Sequence, residues 1–258
     1  LLNKDEAILI QPPVYPPFFY VANNTARPLL QNPLIQEAGH YRIDFADLAI
    51  KARQAKLLIL CSPHNPVGRV WAPDELRQLL SIAKRHNLWL FSDEIHQDLT
   101  LPGFTHTMLL QFLQDNELGD YVATNTITAV APSKSFNIPG MGLSALITPN
   151  PQLRKKLEQA FDLLHALNFN PMSMTAFIAA YGNNDVWLDA LMAYLGENQN
   201  LVAHWINSRN WPIEFNPLQA TYLIWLNCQR LALSDKSLRD LFVQQAGLGL
   251  NPGVSFGQ

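Results

Sequence analysis

The 258-residue sequence has few charged residues and only two cysteines. Lys, Arg, Asp and Glu make up 15% of the chain, whereas about a quarter is usual for soluble domains. The net charge of −3 provides no basic surface, so we expect neither nucleic acid nor anionic lipid as a partner. Cys61 and Cys228 lie far apart and without metal-ligand spacing. This pattern predicts no metal site and favours a reducing compartment, the cytoplasm.

The sequence also lacks long apolar runs, and none reaches the length that spans a membrane. Leu1 opens no signal-like segment, so we do not expect a membrane-bound or secreted protein. Two glycine-rich fingerprints are absent as well, G-x-G-x-x-G of dinucleotide-binding proteins and G-x-x-x-x-G-K-[ST] of P-loop proteins. Both of these common phosphate-binding motifs are therefore excluded.

Apolar strand patterns alternate with helical patterns along most of the chain. Predicted strands cover residues 6–10, 57–61, 88–91, 126–130 and 145–148. Predicted helices cover residues 44–54, 73–87, 151–167, 173–181 and 186–208. Strands that are apolar on both faces and separated by helices are typical of parallel sheets. The sequence therefore predicts an α/β fold with a mostly parallel sheet flanked by helices.

The pattern changes after Asn210, where predicted strands at 212–215 and 221–226 precede a helix at 237–246. We expect a smaller C-terminal α+β domain here. The domain boundary is predicted within the long helix, giving a large domain over 1–185 and a helix plus small domain over 186–258. Near the start of the chain, residues 11–18 contain four prolines and predict a stiff loop, and residues 21–42 predict irregular chain.

Three polar residues follow predicted strands: Asn65, Asp93 and Lys134. Open α/β sheets bind ligands at the carboxyl ends of their strands, so these side chains are candidates for one site. A lysine at a strand end is usually only a solvated charge. Combined with a carboxylate, it fits pyridoxal phosphate, whose aldehyde needs an amine and whose ring nitrogen needs an acid.

Four segments extend this pattern: PPVYPPF at 12–18, PHNPVGRVW at 63–71, SDEIH at 92–96 and APSKSFNIPG at 131–140. Together they resemble motifs of the fold-type I pyridoxal-phosphate enzymes, the aspartate aminotransferase superfamily. In particular they resemble the MalY/PatB group of carbon–sulfur β-lyases. The segments occur in the family order, and the resemblance extends over essentially the whole chain. It implies the large-domain fold of these enzymes for residues 1–185.

The resemblance implies roles for the three strand-end residues. Lys134 would hold the cofactor as a Schiff base and then move the substrate Cα proton. Asp93 would accept a hydrogen bond from the protonated pyridine nitrogen. Asn65 would donate to the phenolic oxygen of the ring.

The resemblance also implies roles for three further residues, whose motifs are less direct. Tyr15 would stack on the ring face, although the proline-rich segment could equally be a rigid surface loop. His96 would lie near the phenolic oxygen, or alternatively be a buried histidine without cofactor contact. Ser133 is a candidate phosphate contact.

Two features depart from the aminotransferase pattern. Gly142 occupies the position eight residues after the lysine, where many aminotransferases carry a phosphate-binding arginine. This favours the lyase group. The family also places a phosphate-binding helix start before Leu1 and a substrate-carboxylate arginine beyond Gln258. We therefore expect the sequence to lack both ends of one active site.

The resemblance implies a lyase that cleaves the Cβ–S bond of cystathionine or a related cysteine S-conjugate and releases pyruvate, ammonia and a thiol. It also implies a homodimer. Two alternatives stay open. One is a class I/II aminotransferase that uses the same residues. The other is the cofactor-binding domain of a transcription regulator, with a helix-turn-helix before Leu1.

Overall fold

A computed structural model describes residues 2–37, 39–166 and 170–257. The strands are β1 (Ala7–Ile10), β2 (Leu29–Gln31), β3 (Ile35–Glu37), β4 (His40–Arg42), β5 (Ala55–Cys61), β6 (Trp89–Asp93), β7 (Thr126–Val130), β8 (Ala145–Ile147), β9 (Glu214–Phe215) and β10 (Leu226–Asn227). The helices are α1 (Pro17–Asn24), α2 (Phe45–Ala52), α3 (Pro73–Arg85), α4 (Gly119–Asn125), α5 (Pro132–Ser135), α6 (Pro151–Leu163), α7 (Pro171–Ala180), α8 (Asp185–Ser208) and α9 (Asp235–Asp240). In this part of the chain, no helix is both long and apolar enough to traverse a bilayer.

The main sheet has six strands in the order β2-β1-β5-β6-β7-β8. Strands β2 through β7 in this order run parallel, and β8 pairs antiparallel with β7 at one edge. The chain first places β2 on one side of β1 and then returns to place β5 on the other side. The sheet therefore changes its direction of growth between β1 and β5, where open α/β sheets form ligand crevices. The predicted α/β fold is confirmed.

Alternating side chains of the central strands fill two separate cores. Leu58 and Leu60 of β5 pack in one apolar cluster, together with Leu9 of β1. Ile59 and Cys61 of β5 pack in a second cluster. Successive side chains of a strand point to opposite faces, so β5 is covered on both sides and its backbone is shielded from water.

Helix α3 covers one face of the sheet. Pro73 occupies its first turn, and the Glu75 carboxylate accepts the Ala72 N–H at 2.9 Å. Leu76, Leu79 and Leu80 are almost fully buried on one side of the helix. Burial of each such side chain is worth about 1.5–3 kcal/mol, so this apolar stripe anchors the helix to the sheet.

The expectation of irregular chain over 21–42 is wrong. This region contains the end of α1, the sheet strand β2 and the β3–β4 hairpin. Pro17 takes the first helical position, where its missing N–H costs nothing, so the stiff loop is limited to residues 11–16. Strand β2 has only three residues, which is too short for a periodic pattern.

Differences near the C-terminus are smaller. The strand predicted over 221–226 is present only at Leu226–Asn227, and the helix predicted over 237–246 begins at Asp235 and continues from 241 to 245 as a π-helical turn. Helix α6 ends at Leu163, and residue 167 of the predicted helix lies outside the described residues.

Candidate active site

Loops that follow β1, β5, β6 and β7 meet at one edge of the sheet. Their side chains line one cleft, formed by Tyr15, Cys61, Asn65, Asp93, Ile95, His96 and Lys134. Five of the six predicted site residues therefore come together. Ser133 precedes Lys134 in the same helical turn but is not among the described residues that line this cleft.

Lys134 lies on a single helical turn that follows the buried strand β7. Pro132 begins this turn, and the Phe136 N–H donates to its carbonyl at 2.9 Å. The Ser135 hydroxyl donates to Asp98 Oδ2 at 2.8 Å. This bond ties the lysine turn to the loop after β6, so Lys134 is held beside the residues of that loop.

Asp93 is the last residue of β6. Its Oδ1 accepts the Ile95 N–H at 3.3 Å. Burial raises the pKa of Asp93 from 3.8 to about 6, and the Glu94 charge raises it as well, whereas the Ile95 N–H and the Lys134 charge lower it. A carboxylate desolvated in this way gains from a cationic hydrogen-bond donor, because the donor stabilises its charged form.

Asn65 lies in the loop after β5 and is 7% exposed. Its N–H donates to Cys61 Sγ at 3.3 Å, which fixes the backbone of the loop. Its Oδ1 is buried and has no hydrogen-bond partner among the described residues. Such atoms are rare in folded proteins, so this carboxamide has spare hydrogen-bonding capacity at the cleft. Burial raises the pKa of the Cys61 thiol, which is therefore a neutral packing group.

His64 joins the loop that carries Tyr15 to the loop that carries Asn65. Its Nε2 lies 2.9 Å from the Pro13 carbonyl oxygen, and its ring packs edge-on against Trp71. Burial lowers the pKa of His64 to about 4, so the ring is neutral and Nε2–H donates to Pro13. This histidine belongs to the PHNPVGRVW motif, and its contact with Pro13 was not predicted from the sequence.

His96 is 4% exposed and faces the cleft. Burial lowers its pKa to about 4, with a further contribution from the Lys134 charge. A neutral imidazole can donate one hydrogen bond and accept another. Its ring packs edge-on against Tyr222, with 6.2 Å between centroids.

Tyr222 was predicted as part of a strand rather than as a site residue. Burial raises the pKa of Tyr222, and Tyr15 raises it further. No local motif could have located Tyr222, since its contact with His96 depends on the fold. Gly142, in contrast, has a left-handed backbone with φ 58°, and no described atom lies within 4 Å of a Cβ built there.

Residues 1–257 match the model of the family described as aminotransferase class I and II. Cystathionine beta-lyase PatB from Bacillus subtilis is 35% identical over 98% of this chain and 64% of its own length. The chain thus spans less than two thirds of that relative.

Solved structures share this fold, among them two that contain pyridoxal phosphate. A pyridoxal-phosphate-bound protein from Clostridium difficile 630, described as an aminotransferase, superposes with a TM-score of 0.94 at 38% identity, over 100% of this chain and 65% of its own. Cystalysin from Treponema denticola, which contains pyridoxal 5'-phosphate, superposes with a TM-score of 0.93 at 34% identity, over 98% of this chain and 63% of its own. The chain belongs to the class I and II aminotransferase family.

Proposed function

We propose that this protein is a pyridoxal-phosphate-dependent carbon–sulfur β-lyase. Its substrate would be cystathionine or a related cysteine S-conjugate, and its products pyruvate, ammonia and a thiol. The observation that carries the proposal is the convergence of Lys134, Asp93 and Asn65 in one cleft between Tyr15 and His96. An amine, a carboxylate and an amide at strand ends are the groups that this cofactor requires.

The described residues fit pyridoxal phosphate. Asn65 has a buried carboxamide oxygen that no described residue bonds, and a carboxamide can turn to present its NH₂ group instead. One Asp93 oxygen accepts the Ile95 N–H, and the carboxylate can also accept a proton-bearing ring nitrogen. When bound, the cofactor withdraws electrons from the substrate Cα, which makes the Cα proton acidic and the Cβ–S bond labile.

Each side chain has a defined task in this proposal. The Lys134 amine would link to the cofactor and then take the Cα proton. Asp93 would keep the ring nitrogen protonated, because its carboxylate is stabilised by that cation. Asn65 and the neutral His96 would hold the phenolic oxygen. Tyr15 would cover one ring face and exclude water.

Ser133 stays a candidate phosphate contact, although it is not a lining residue of the cleft. A hydroxyl one residue before Lys134 would reach a phosphate from the first turn of α5. Two observations support the lyase over the aminotransferase. Residue 142 is glycine rather than a phosphate-binding arginine, and the relative PatB is a cystathionine beta-lyase. The aminotransferase is the second candidate, supported by the family match and the Clostridium structure.

The two reactions separate in one assay of the full-length protein. We expect cystathionine without any keto acid to give continuous release of pyruvate, ammonia and thiol. A single turnover that resumes only after a keto acid is added would show an aminotransferase instead. Borohydride reduction and peptide mapping should label Lys134. Label on Lys51, which is paired with Asp47 at 2.8 Å, would contradict the assignment.

We also propose a cytoplasmic homodimer with its domain boundary in α8. Large apolar side chains are exposed along α7 and α8, which supports a buried interface. They include Met172, Ile178, Val186, Tyr194, Leu201 and Trp205. Sedimentation of the full-length protein would measure its mass, and a monomer at micromolar concentration would refute the dimer.

A further inference from the structure

Glu94 is a fully buried carboxylate directly behind the cleft. It follows Asp93 and is 0% exposed. Three groups donate to its oxygens: the Ser92 hydroxyl at 2.8 Å, the Leu109 N–H at 3.1 Å and His106 Nε2 at 2.9 Å. A buried carboxylate is costly unless it is fully hydrogen-bonded, so these contacts are needed to keep it in place.

One donor, Ser92, lies in β6 just before a long loop, and the other two lie at the far end of this loop. Between β6 and the 3₁₀ turn at Leu109–Gln114, the chain has no helix or strand apart from an isolated bridge at Thr100. The Glu94 side chain connects the start of this loop to its end at His106 and Leu109. It therefore closes a loop that would otherwise depend on few regular backbone hydrogen bonds.

Residues on both sides of Glu94 line the cleft. Asp93 precedes it at the end of β6, and Ile95 and His96 follow it in the loop, whereas Glu94 itself is not a lining residue. The Glu94 N–H donates to the Ala129 carbonyl at 2.9 Å, so its backbone is fixed against β7. Because both the side chain and the backbone of Glu94 are held, we expect its neighbours Asp93 and His96 to keep their positions in the cleft. Misplacement of such a group by about 1 Å can reduce the reaction rate about a hundredfold.

We propose that Glu94 and His106 are a positioning pair, whose buried contact closes the 94–109 loop and holds Asp93 and His96 toward the cleft. This proposal rests on the proposed function only for the identity of the ligand. Neither residue touches the cleft, and each acts through the groups that do.

The pair also acts through charge. The Glu94 charge raises the pKa of Asp93, in addition to the effect of burial. The titratable groups that line the cleft with Asp93 are Lys134 from α5, Cys61 from β5, Tyr15 and His96, and Glu94 follows Asp93 in the chain. Glu94 itself faces His106. Removal of the Glu94 charge should therefore let Asp93 ionise at lower pH.

The test compares His106→Leu with His106→Gln in the full-length protein. Leucine removes the donor, whereas glutamine keeps one. Hydrogen exchange of the amides of residues 95–109 is the first measurement. We expect His106→Leu to raise these rates about tenfold or more and to raise the dissociation constant of pyridoxal phosphate about tenfold. We expect His106→Gln to stay close to the unmodified protein in both.

Glu94→Gln tests the charge. It can keep all three partners, with His106 then accepting from the new amide, and we expect the acid limb of cofactor binding to move down by about half a pH unit or more. Glu75→Gln is the matched control, because Glu75 pairs with Arg69 at 2.6 Å and does not line the cleft. It should change neither local exchange nor the acid limb.

Equal exchange in His106→Leu and His106→Gln would overturn the positioning pair. If the acid limb of cofactor binding is unchanged in Glu94→Gln, the proposed effect of the Glu94 charge on Asp93 is overturned. Failure of the unmodified protein to bind pyridoxal phosphate would refute the proposed function instead, while the exchange data would still decide whether the pair closes the loop.

Discussion

Asp93→Asn should stabilise the cofactor-free protein at neutral pH and, under the proposed function, slow turnover by the full-length protein. Burial and the Glu94 charge raise the pKa of Asp93 from 3.8 to about 6. The folded state therefore binds this proton more tightly than the unfolded state. Stability is highest below pH 4 for this group, falls as pH rises from about 4 to 6, and stays lower above that range. Asparagine has no such dependence.

The size of the effect follows from the shift. A rise of about two pKa units corresponds to about 3 kcal/mol. Part of this change lies below pH 4.5, so the free energy of unfolding of Asp93→Asn, relative to the unmodified protein, should rise by about 2 kcal/mol between pH 4.5 and pH 7.5. Turnover should fall about a hundredfold, because a charge-assisted hydrogen bond is roughly twice as strong as the neutral bond that replaces it.

Urea unfolding of the cofactor-free protein at both pH values measures the first effect. Asp47→Asn is a control of opposite sign. Burial raises the pKa of Asp47, but its hydrogen bonds with Asn32 and Lys51 outweigh this and lower it. Asp47→Asn should therefore cost stability at pH 7.5. A stability difference for Asp93→Asn that does not change with pH would refute the assigned environment of Asp93.

Two further predictions concern the packing around the cleft and its access to solvent. Gly68→Ala should lower the free energy of unfolding, measured with urea, by about 2–4 kcal/mol, because φ is 67° and the new Cβ would lie 2.4 Å from Leu218 Cδ2. Gly103→Ala is the control, since φ is 91° and no described atom lies within 4 Å of the new Cβ, so only the backbone strain should lower stability. Equal losses in the two variants would contradict the steric argument. Cys228 is half-buried and should react with a thiol reagent before the buried Cys61, which we expect to react only on unfolding. Mass spectrometry would map the labelled residue, and early labelling of Cys61 would show that the cleft is open to solvent.

The sequence predicts the frame of the fold well because its strands are strongly apolar. The strand predicted over 126–130 matches β7 residue for residue, and the lysine after it lies where a strand-end ligand group is expected. Strand β5 and helix α3 also agree within two residues at each end. These elements have patterns long enough to identify from local sequence alone.

What the sequence does not predict are contacts between distant residues. His64 reaches Pro13, Glu94 reaches His106, and His96 packs against Tyr222. None of these pairs has a periodic signal, since each depends on which loops the sheet brings together. Strand β2 was not predicted for a related reason, because its three residues form a strand only by pairing with β1.

The position of β1 between β2 and β5 has a consequence for synthesis of the chain. Strand β1 ends at Ile10, and its second neighbour begins only at Ala55. At about 5–20 residues per second, the ribosome needs roughly 2–9 s to supply that strand. During this interval, β2 can pair with one edge of β1 while its other edge stays open on an apolar surface. The nascent protein should therefore need chaperone protection until β5 emerges.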